Sequence, residues 1–255
     1  MSFDTAILLG IVAAFFICMG VETLFPSGRA MPRVRGWRLI GTASFAVTIA
    51  VSVFAPLLIV PLLPAQMALV DLSGWGPWGF LPVWIGATFL GYWFHRTMHY
   101  FDVLWRAGHQ VHHSAVRLDM GSAMIFHPVD YIVIGVFGGI LSAGLLGASA
   151  QAAGWAGLWG SMVGYYQHLD VRTPAWTGWF FQRPEQHMLH HEKDVHARNF
   201  GDMPLWDHLF GTYGAPEDRD IALGFEPERS RRWLAMAAMV DVNKAAGPAK
   251  GRISL

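Results

Sequence analysis

The chain has 255 residues, 53% of them hydrophobic and only 14% charged, with a mean hydropathy of +0.34 and no net charge at pH 7. A soluble domain carries about 25% charged residues, so this composition excludes a disordered chain and a nucleic-acid binder with a basic surface, and points to a membrane protein. The single cysteine, Cys18, excludes an intramolecular disulfide framework and any cysteine-rich zinc or iron–sulfur site.

In chain order, residues 5–25 hold one charge, Glu22, near the end of the stretch. Asp4 and the lack of a positive leader argue against a cleavable signal peptide. From Leu39 to Phe94 the only charge is Asp71, which divides apolar segments at 39–63 and 76–94. Each is long enough for the ~20 helical residues that cross a hydrocarbon core. Prolines 56, 61 and 64 fall toward the outer end of the second span, where a helix can stop with little loss. The uncharged stretch from Tyr131 to Leu169 is too long for one crossing, and small residues interrupt it between Gly147 and Gly154. It predicts a helical hairpin that dips into the membrane and returns.

Orientation follows from Arg29, Arg33, Arg35 and Arg38, which sit together between the first two spans, while the Asp71 connection has no Lys or Arg. The positive-inside rule places the arginine loop in the cytoplasm and the N-terminus outside. The end of the third span and the C-terminal part then lie in the cytoplasm, with a bacterial inner membrane favoured over an endoplasmic reticulum. Glu22 is expected to snorkel or cap toward the arginine loop. Residues 216–255 read as a polar cytoplasmic tail: charge is dense over 217–232, a short helix fits 233–244 around Trp233, Leu234 and Met236, and Gly247–Gly251 reads as a frayed end.

All twelve histidines lie between His95 and His208, and eight of them form three clusters. These are His95-x-x-x-His99, His109-x-x-His112-His113 and His187-x-x-His190-His191. Residues at i, i+3 and i+4 share a helix face, so each cluster presents its imidazoles as one stripe. Eight nitrogen ligands exceed one zinc centre and suffice for two metal ions with positions left open. A dinuclear centre with open positions fits O2 activation by iron, which redox-inert zinc cannot perform. Ligand type alone does not decide the metal. The zinc-peptidase pattern H-E-x-x-H is absent, since His191-Glu192 is followed by histidine only at 196. The expected fold is therefore an all-α integral membrane protein with three transmembrane helices plus a helical hairpin, and a cytoplasmic histidine-rich helical cap holding a dinuclear metal site.

H-R-x-x-H at 95–99, H-Q-x-H-H-S at 109–114, H-P-x-D at 127–130 and P-E-x-H-x-x-H-H at 184–191 are joined by Asn199-Phe200-Gly201 and by W-D-x-L-F-G-T-Y at 206–213. Over residues 78–215 this combination resembles the fatty acid hydroxylase / sterol desaturase superfamily. The resemblance implies a catalytic domain at 78–215, following membrane helices and the arginine loop at 1–77. It implies a non-haem di-iron enzyme that uses O2 to hydroxylate or desaturate a lipid. It places the iron ligands on His95, His99, His109, His112, His113, His187, His190 and His191, with His168 as a further ligand. Some relatives have a second histidine near the last position; here Gly164, Tyr165, Tyr166 and Gln167 stand there, which leaves nine ligands and a water or Gln167 for the remaining place. His127 is expected near the site, as a neighbour or a direct ligand, and His196 and His208 at the surface or behind the ligands. Asp119, Asp130, Asp170, Glu185, Asp194 and Asp207 are candidates to accept the outer N–H of a metal-bound ring.

The site is expected where the spans meet the cytoplasm, because His95 and His168 close the third span and the hairpin. The lipid is of sterol, fatty acyl, sphingoid or ether-lipid type. The metal carries the central oxidation, and the protein supplies ligand geometry and an apolar channel. The sequence shows no dinucleotide motif, cysteine cluster or haem domain, so electrons are expected from an external ferredoxin or cytochrome-type protein. Arg172, Arg183, Lys193 and Arg198 are candidates to dock it. The alternatives are a membrane-bound zinc hydrolase, which would work without O2, and a non-catalytic metal- or haem-binding membrane protein.

Overall fold

The computed structural model describes residues 1–59, 68–217 and 219–243, with backbone alone for 55–59. Among the described residues the chain is helical, and one isolated bridge joins Glu192 to Leu223. Helix α1 (Phe3–Leu24) starts at Ser2, whose hydroxyl accepts the Thr5 N–H and satisfies one of the free donors of the first turn. Helix α2 covers Trp37–Ile59 and so runs through Pro56. Pro61, Pro64, the far end of the second span and Gly247–Gly251 lie outside the described residues. The third long helix, α3 (Phe80–Tyr100), begins later than apolarity alone suggests, because Ser73–Gly79 winds as 3-10 turns around Pro77. It is followed by α4 (Asp102–Leu104), a π-wound turn (Trp105–His109) and α5 (Gln110–His113).

The predicted hairpin is formed by α6 (Pro128–Gly139), which continues as a π-wound stretch (Ile140–Leu145), and by α7 (Ala150–His168). The break is confined to 146–149, where Gly147 has φ +54, a left-handed conformation that suits glycine, and Ser149 caps α7. The small residues Ala150–Gly154 already belong to α7. The two arms part: α6 lies along α2, and α7 lies along α1 and α3. The short helices α8 (Pro184–His190), α9 (Pro204–Leu209), α10 (Pro227–Ser230) and α11 (Trp233–Ala237) complete the described chain.

Among the described residues, three stretches are long and apolar enough to cross a membrane: Phe3–Leu24, Trp37–Phe54 and Pro128–Leu145. Only 11% of the α1 stretch is buried within the protein, so most of its apolar surface needs lipid around it. The first hairpin arm thus carries the apolarity expected of 76–94. Helix α3 has the length of a span, but His95, Arg96 and His99 make its last turns polar and carry it into the cap. Between the helices, Phe15 and Phe45 stack at 4.0 Å, and Tyr165 meets Phe15 edge-on at 5.7 Å.

The end of α1, the start of α2, the ends of α3 and α7 and the start of α6 all meet at one end of the bundle. Glu22 is buried there and accepts the Met120 and Asp170 N–H groups at 2.8 and 3.0 Å, rather than turning to the arginines. Those backbone donors are buried and need an acceptor, which a carboxylate supplies. Trp37 donates its indole N–H to Asp119 at 2.7 Å. The segment expected as a polar tail is packed on this cap. Phe225, Met236 and Val242 bury around Trp105, and the Gln110 side chain donates to the Val240 carbonyl at 2.9 Å.

Candidate metal centre

The structure brings all nine predicted histidines together in two groups. His95, His99, His109, His113 and His190 form one; His112, His168, His187 and His191 form the other. Within each group, one ligand nitrogen from every ring lies within 4.8 Å of the rest. The clusters do not act as single stripes. His109 and His113 join the first group while His112 joins the second; His187 and His191 join the second while His190 joins the first. Adjacent residues on a helix diverge by about 100°, so the two histidines closing each H-x-x-H-H motif face different groups.

The chemistry of the donor set fits metal ions. Nε2 of His95 is 2.8 Å from that of His109 and 3.3 Å from that of His99, and the Nε2 atoms of His113 and His190 are 3.1 Å apart. In the second group, Nε2 of His168 is 3.3 Å from that of His112 and 3.2 Å from that of His187, which is 3.1 Å from that of His191. Two imidazoles bound to one ion at ~2.1 Å place their nitrogens roughly 3 Å apart. Five rings are also turned by acceptors behind them. Nδ1–H donates from His95 to the Phe200 carbonyl (2.7 Å), from His112 to Ile125 (3.2 Å), from His168 to Gly164 (2.7 Å) and from His190 to Arg198 (2.9 Å). His187 donates to Oε1 of Gln182. With Nδ1 holding the proton, each Nε2 presents its lone pair to its group, as metal ligation requires.

Burial, and next the surrounding rings, push His109, His112, His113, His187, His190 and His191 well below the ordinary histidine value. They are neutral at pH 7 and need no proton loss before binding a cation. Nδ1 of His99, His109 and His113 is buried without a hydrogen-bond partner.

The other three histidines stay outside both groups. His127 caps α6, accepting the Val129 N–H at Nδ1, and its Nε2 donates to the Ala237 carbonyl. Both nitrogens are therefore committed away from a metal. The His196 ring is half-buried, 4.8 Å from that of His113. His208 is exposed and stacks on Tyr213.

None of the six candidate carboxylates accepts a hydrogen bond from a clustered ring, and four of them, Asp119, Asp170, Glu185 and Asp207, hold other parts of the cap. Asp207 is the clearest case. It accepts the Phe200 N–H (2.8 Å), the Gly201 N–H (2.9 Å) and the Thr212 hydroxyl (2.7 Å), and burial pushes its carboxyl up to about 6. That arrangement fixes the Phe200 carbonyl that His95 uses. Asn199 donates to the Gln186 and Gly214 carbonyls and accepts the Gly214 N–H, tying the end of the W-D motif to α8. Asp119 holds Trp37, Asp170 and Glu185 face Arg29, Asp194 is exposed, and Asp130 is buried. Gln182 is the residue that spacing did not reveal. It orients His187 through Oε1 while its amide donates to the Asn199 and Gly201 carbonyls. No motif marks it, since it lies five residues ahead of His187. Gln167 donates to Asp202 at 3.1 Å and keeps its Oε1 buried without a hydrogen bond.

The cations considered for docking are engaged within the chain. Arg183 pairs with Glu185, Lys193 with Glu226 and Arg198 with Glu192, while Arg172 donates to the Ser27 carbonyl.

A helical membrane protein with two buried histidine groups at one end of its bundle, each able to hold a metal ion, is a membrane protein of the histidine-box type. The chain belongs to the fatty acid hydroxylase family, in the fatty acid hydroxylase / sterol desaturase superfamily: the family profile matches residues 80–212, just over half its length. Among curated proteins it is similar to alkylglycerol monooxygenase of Xenopus tropicalis, 24% identical over 173 residues, which is 61% of this chain and 35% of that protein. The enzymes of that name from Homo sapiens and Danio rerio are 25% and 29% identical over 157 residues, 60% of this chain and 34% and 33% of theirs. The match thus spans about a third of the length of these relatives. No solved structure matches the chain.

Proposed function

We propose that the protein is a membrane-bound lipid hydroxylase whose nine clustered histidines hold two iron ions. The observation that carries this reading is the convergence of neutral, oriented Nε2 atoms in two groups at the end of an apolar bundle. His95, His99, His109, His113 and His190 would hold one ion, and His112, His168, His187 and His191 the other, with Gln167 Oε1 or water completing the smaller set. Iron in this position supplies the O2-dependent oxidation of an unactivated C–H bond, with electrons from an external ferredoxin or cytochrome-type protein.

The chain's own residues supply the setting. Carbonyls of Phe200, Ile125, Gly164 and Arg198, with Gln182, fix five rings from behind, so the donors are positioned before a cation arrives. Burial of the rings excludes water from the oxidation. Residues 78–215 would form the catalytic unit. Hydroxylation is favoured over desaturation, and an ether lipid over other lipids, because the relatives are named alkylglycerol monooxygenases. The arginine loop adjoins the cap, since α2 begins at Trp37 against Asp119; the positive-inside rule then puts the cap and C-terminus in the cytoplasm and the N-terminus outside, in a bacterial inner membrane.

The test is lipid mass spectrometry of cells with and without the chain, supplied with isotopically labelled O2, together with metal analysis of the purified protein. One lipid class is expected to gain one labelled oxygen, and the purified protein to carry iron. Turnover without O2, or an unchanged product in a His187→Ala, His190→Ala double variant, would overturn the reading.

A further inference from the structure

The bundle contains a cavity of about 480 Å³ at the level where the membrane helices enter the cap. Ala43 and Val47 of α2 form one wall, Pro128 and Tyr131 of α6 face them, and Trp233 and Leu234 of α11 close the top. Its size lies within the roughly 300–1,000 Å³ of small-molecule sites.

Four features decide what fits there. The cavity opens between two helices that are each apolar enough to cross a membrane, so its mouth faces lipid. Ala43 and Val47 are exposed on that side, and Leu234 is 89% exposed at the rim. Of the polar side chains in the wall, His127 is committed to Val129 and Ala237 and the Tyr131 hydroxyl to the Met124 carbonyl, which leaves the Ser44 hydroxyl and the Trp233 indole beside an otherwise apolar lining. An occupant therefore meets hydrocarbon and few free hydrogen-bonding groups, which favours an alkyl chain over a polar headgroup. Finally, Phe126 lines the cavity and stacks flat on His112, 3.9 Å between ring centres and 6° between planes. One aromatic ring separates the cavity from the four-nitrogen group.

We propose that this cavity binds the hydrocarbon chain of a lipid, which enters sideways from the bilayer between α2 and α6, with Phe126 as the partition between chain and histidines. The proposal deepens the hydroxylase reading and rests on it for the identity of the chain as substrate. Trp233 and Leu234 make α11 the lid of the slot. The C-terminal segment, which looks like an appendage in sequence, becomes part of the substrate site.

The experiment is photo-crosslinking of the full chain in phosphatidylcholine nanodiscs, with a long-chain fatty alcohol carrying a diazirine midway along the chain. Adducts are expected to concentrate on 40–47, 125–131 and 233–237, and to fall when unlabelled alcohol competes. Ala43→Trp and Val47→Trp fill the slot from the lipid side. Each should cut these adducts several-fold while metal content and melting temperature stay as in the parent. Adducts as dense on the lipid-facing side of α1, around Phe16 and Ile17, as in the slot would overturn the proposal, as would undiminished labelling in both variants. The two readings fail separately. Labelling of the slot in a protein that oxidises no lipid defeats the hydroxylase and supports the cavity; oxidation with labelling elsewhere does the reverse.

Discussion

The rings of His113 and His191 stack at 4.3 Å with 20° between their planes, although the two residues belong to different nitrogen groups. Each closes an H-x-x-H-H motif, and their stack is a wall shared by the two groups. Across it the motifs exchange a residue: His190 crosses to the rings of α3 and of the Trp105–His109 turn, and His112 crosses to α7 and α8. Neither group is therefore built from one stretch of sequence, and neither forms until α5 and α8 are docked against each other.

This exchange predicts which metal each variant loses. On the proposed two-iron centre, His190→Ala removes one donor from the group of His95, His99, His109 and His113 and leaves the group of His187 and His191 complete, so iron per chain should fall to about half. His112→Ala should do the mirror image, stripping the group that holds His187. Elemental analysis after exposure to a competing chelator measures both. Full iron content in either variant would show that the nitrogens are not grouped as described.

Gln182 should matter through orientation. Removing an acceptor behind a ligand histidine costs roughly 10–100-fold in metal affinity. Gln182→Ala is therefore expected to weaken binding by that factor, and Gln182→Glu, which keeps an acceptor for His187 Nδ1–H, to restore part of it. Chelator competition on purified protein reads both variants. Equal affinity in Gln182→Ala and the parent would remove Gln182 from the centre.

The sequence exposes some of this and hides the rest for physical reasons. Histidine spacing and uncharged runs are local, so eight of the nine rings, α1, α2 and the hairpin are legible from residue order, whereas His168 followed only from the family resemblance. The division of the rings follows from about 100° per residue, and was open to the same reasoning applied one step further, to the adjacent pairs His112-His113 and His190-His191. The acceptors were not legible, because Phe200, Ile125, Gly164 and Arg198 offer backbone carbonyls that any residue type carries. Glu22 has partners at Met120 and Asp170, far along the chain, so its neighbours in sequence point to the wrong role. Charge density hid the packing of 222–242, where three apolar side chains decide the outcome against many exposed polar ones.

Gly108 lies where the π-wound turn meets α6. A Cβ there would stand 2.0 Å from Oδ1 and 2.8 Å from Cγ of the buried Asp130. Overpacking of this kind costs about 1–3 kcal/mol. Gly108→Ala should therefore lower the melting temperature in detergent. Asp130→Ala should relieve the clash, so the double variant is expected to be more stable than the sum of the two single effects implies. Strict additivity would mean that the turn moves aside and that no contact with Asp130 fixes it.

The neutral histidines set the acid limit of the metal-free protein. Burial holds His109, His112, His113, His187, His190 and His191 well below their ordinary value, so the native chain leaves them unprotonated where an unfolded chain protonates them, at about pH 6.5. Below that pH the unfolded state binds more protons, so native stability falls as pH falls and is level above it. Each histidine contributes about 1.4 kcal/mol per pH unit inside the window between its native and unfolded values. Six such groups give a steep slope against a total stability of about 5–15 kcal/mol. Thermal unfolding of the metal-free chain should show a plateau above pH 7 and a sharp loss between pH 6.5 and 5. Bound metal should move that loss to lower pH, because protons must then displace it. An equal melting temperature at pH 7 and pH 5 without metal would contradict the neutral, buried state of these rings.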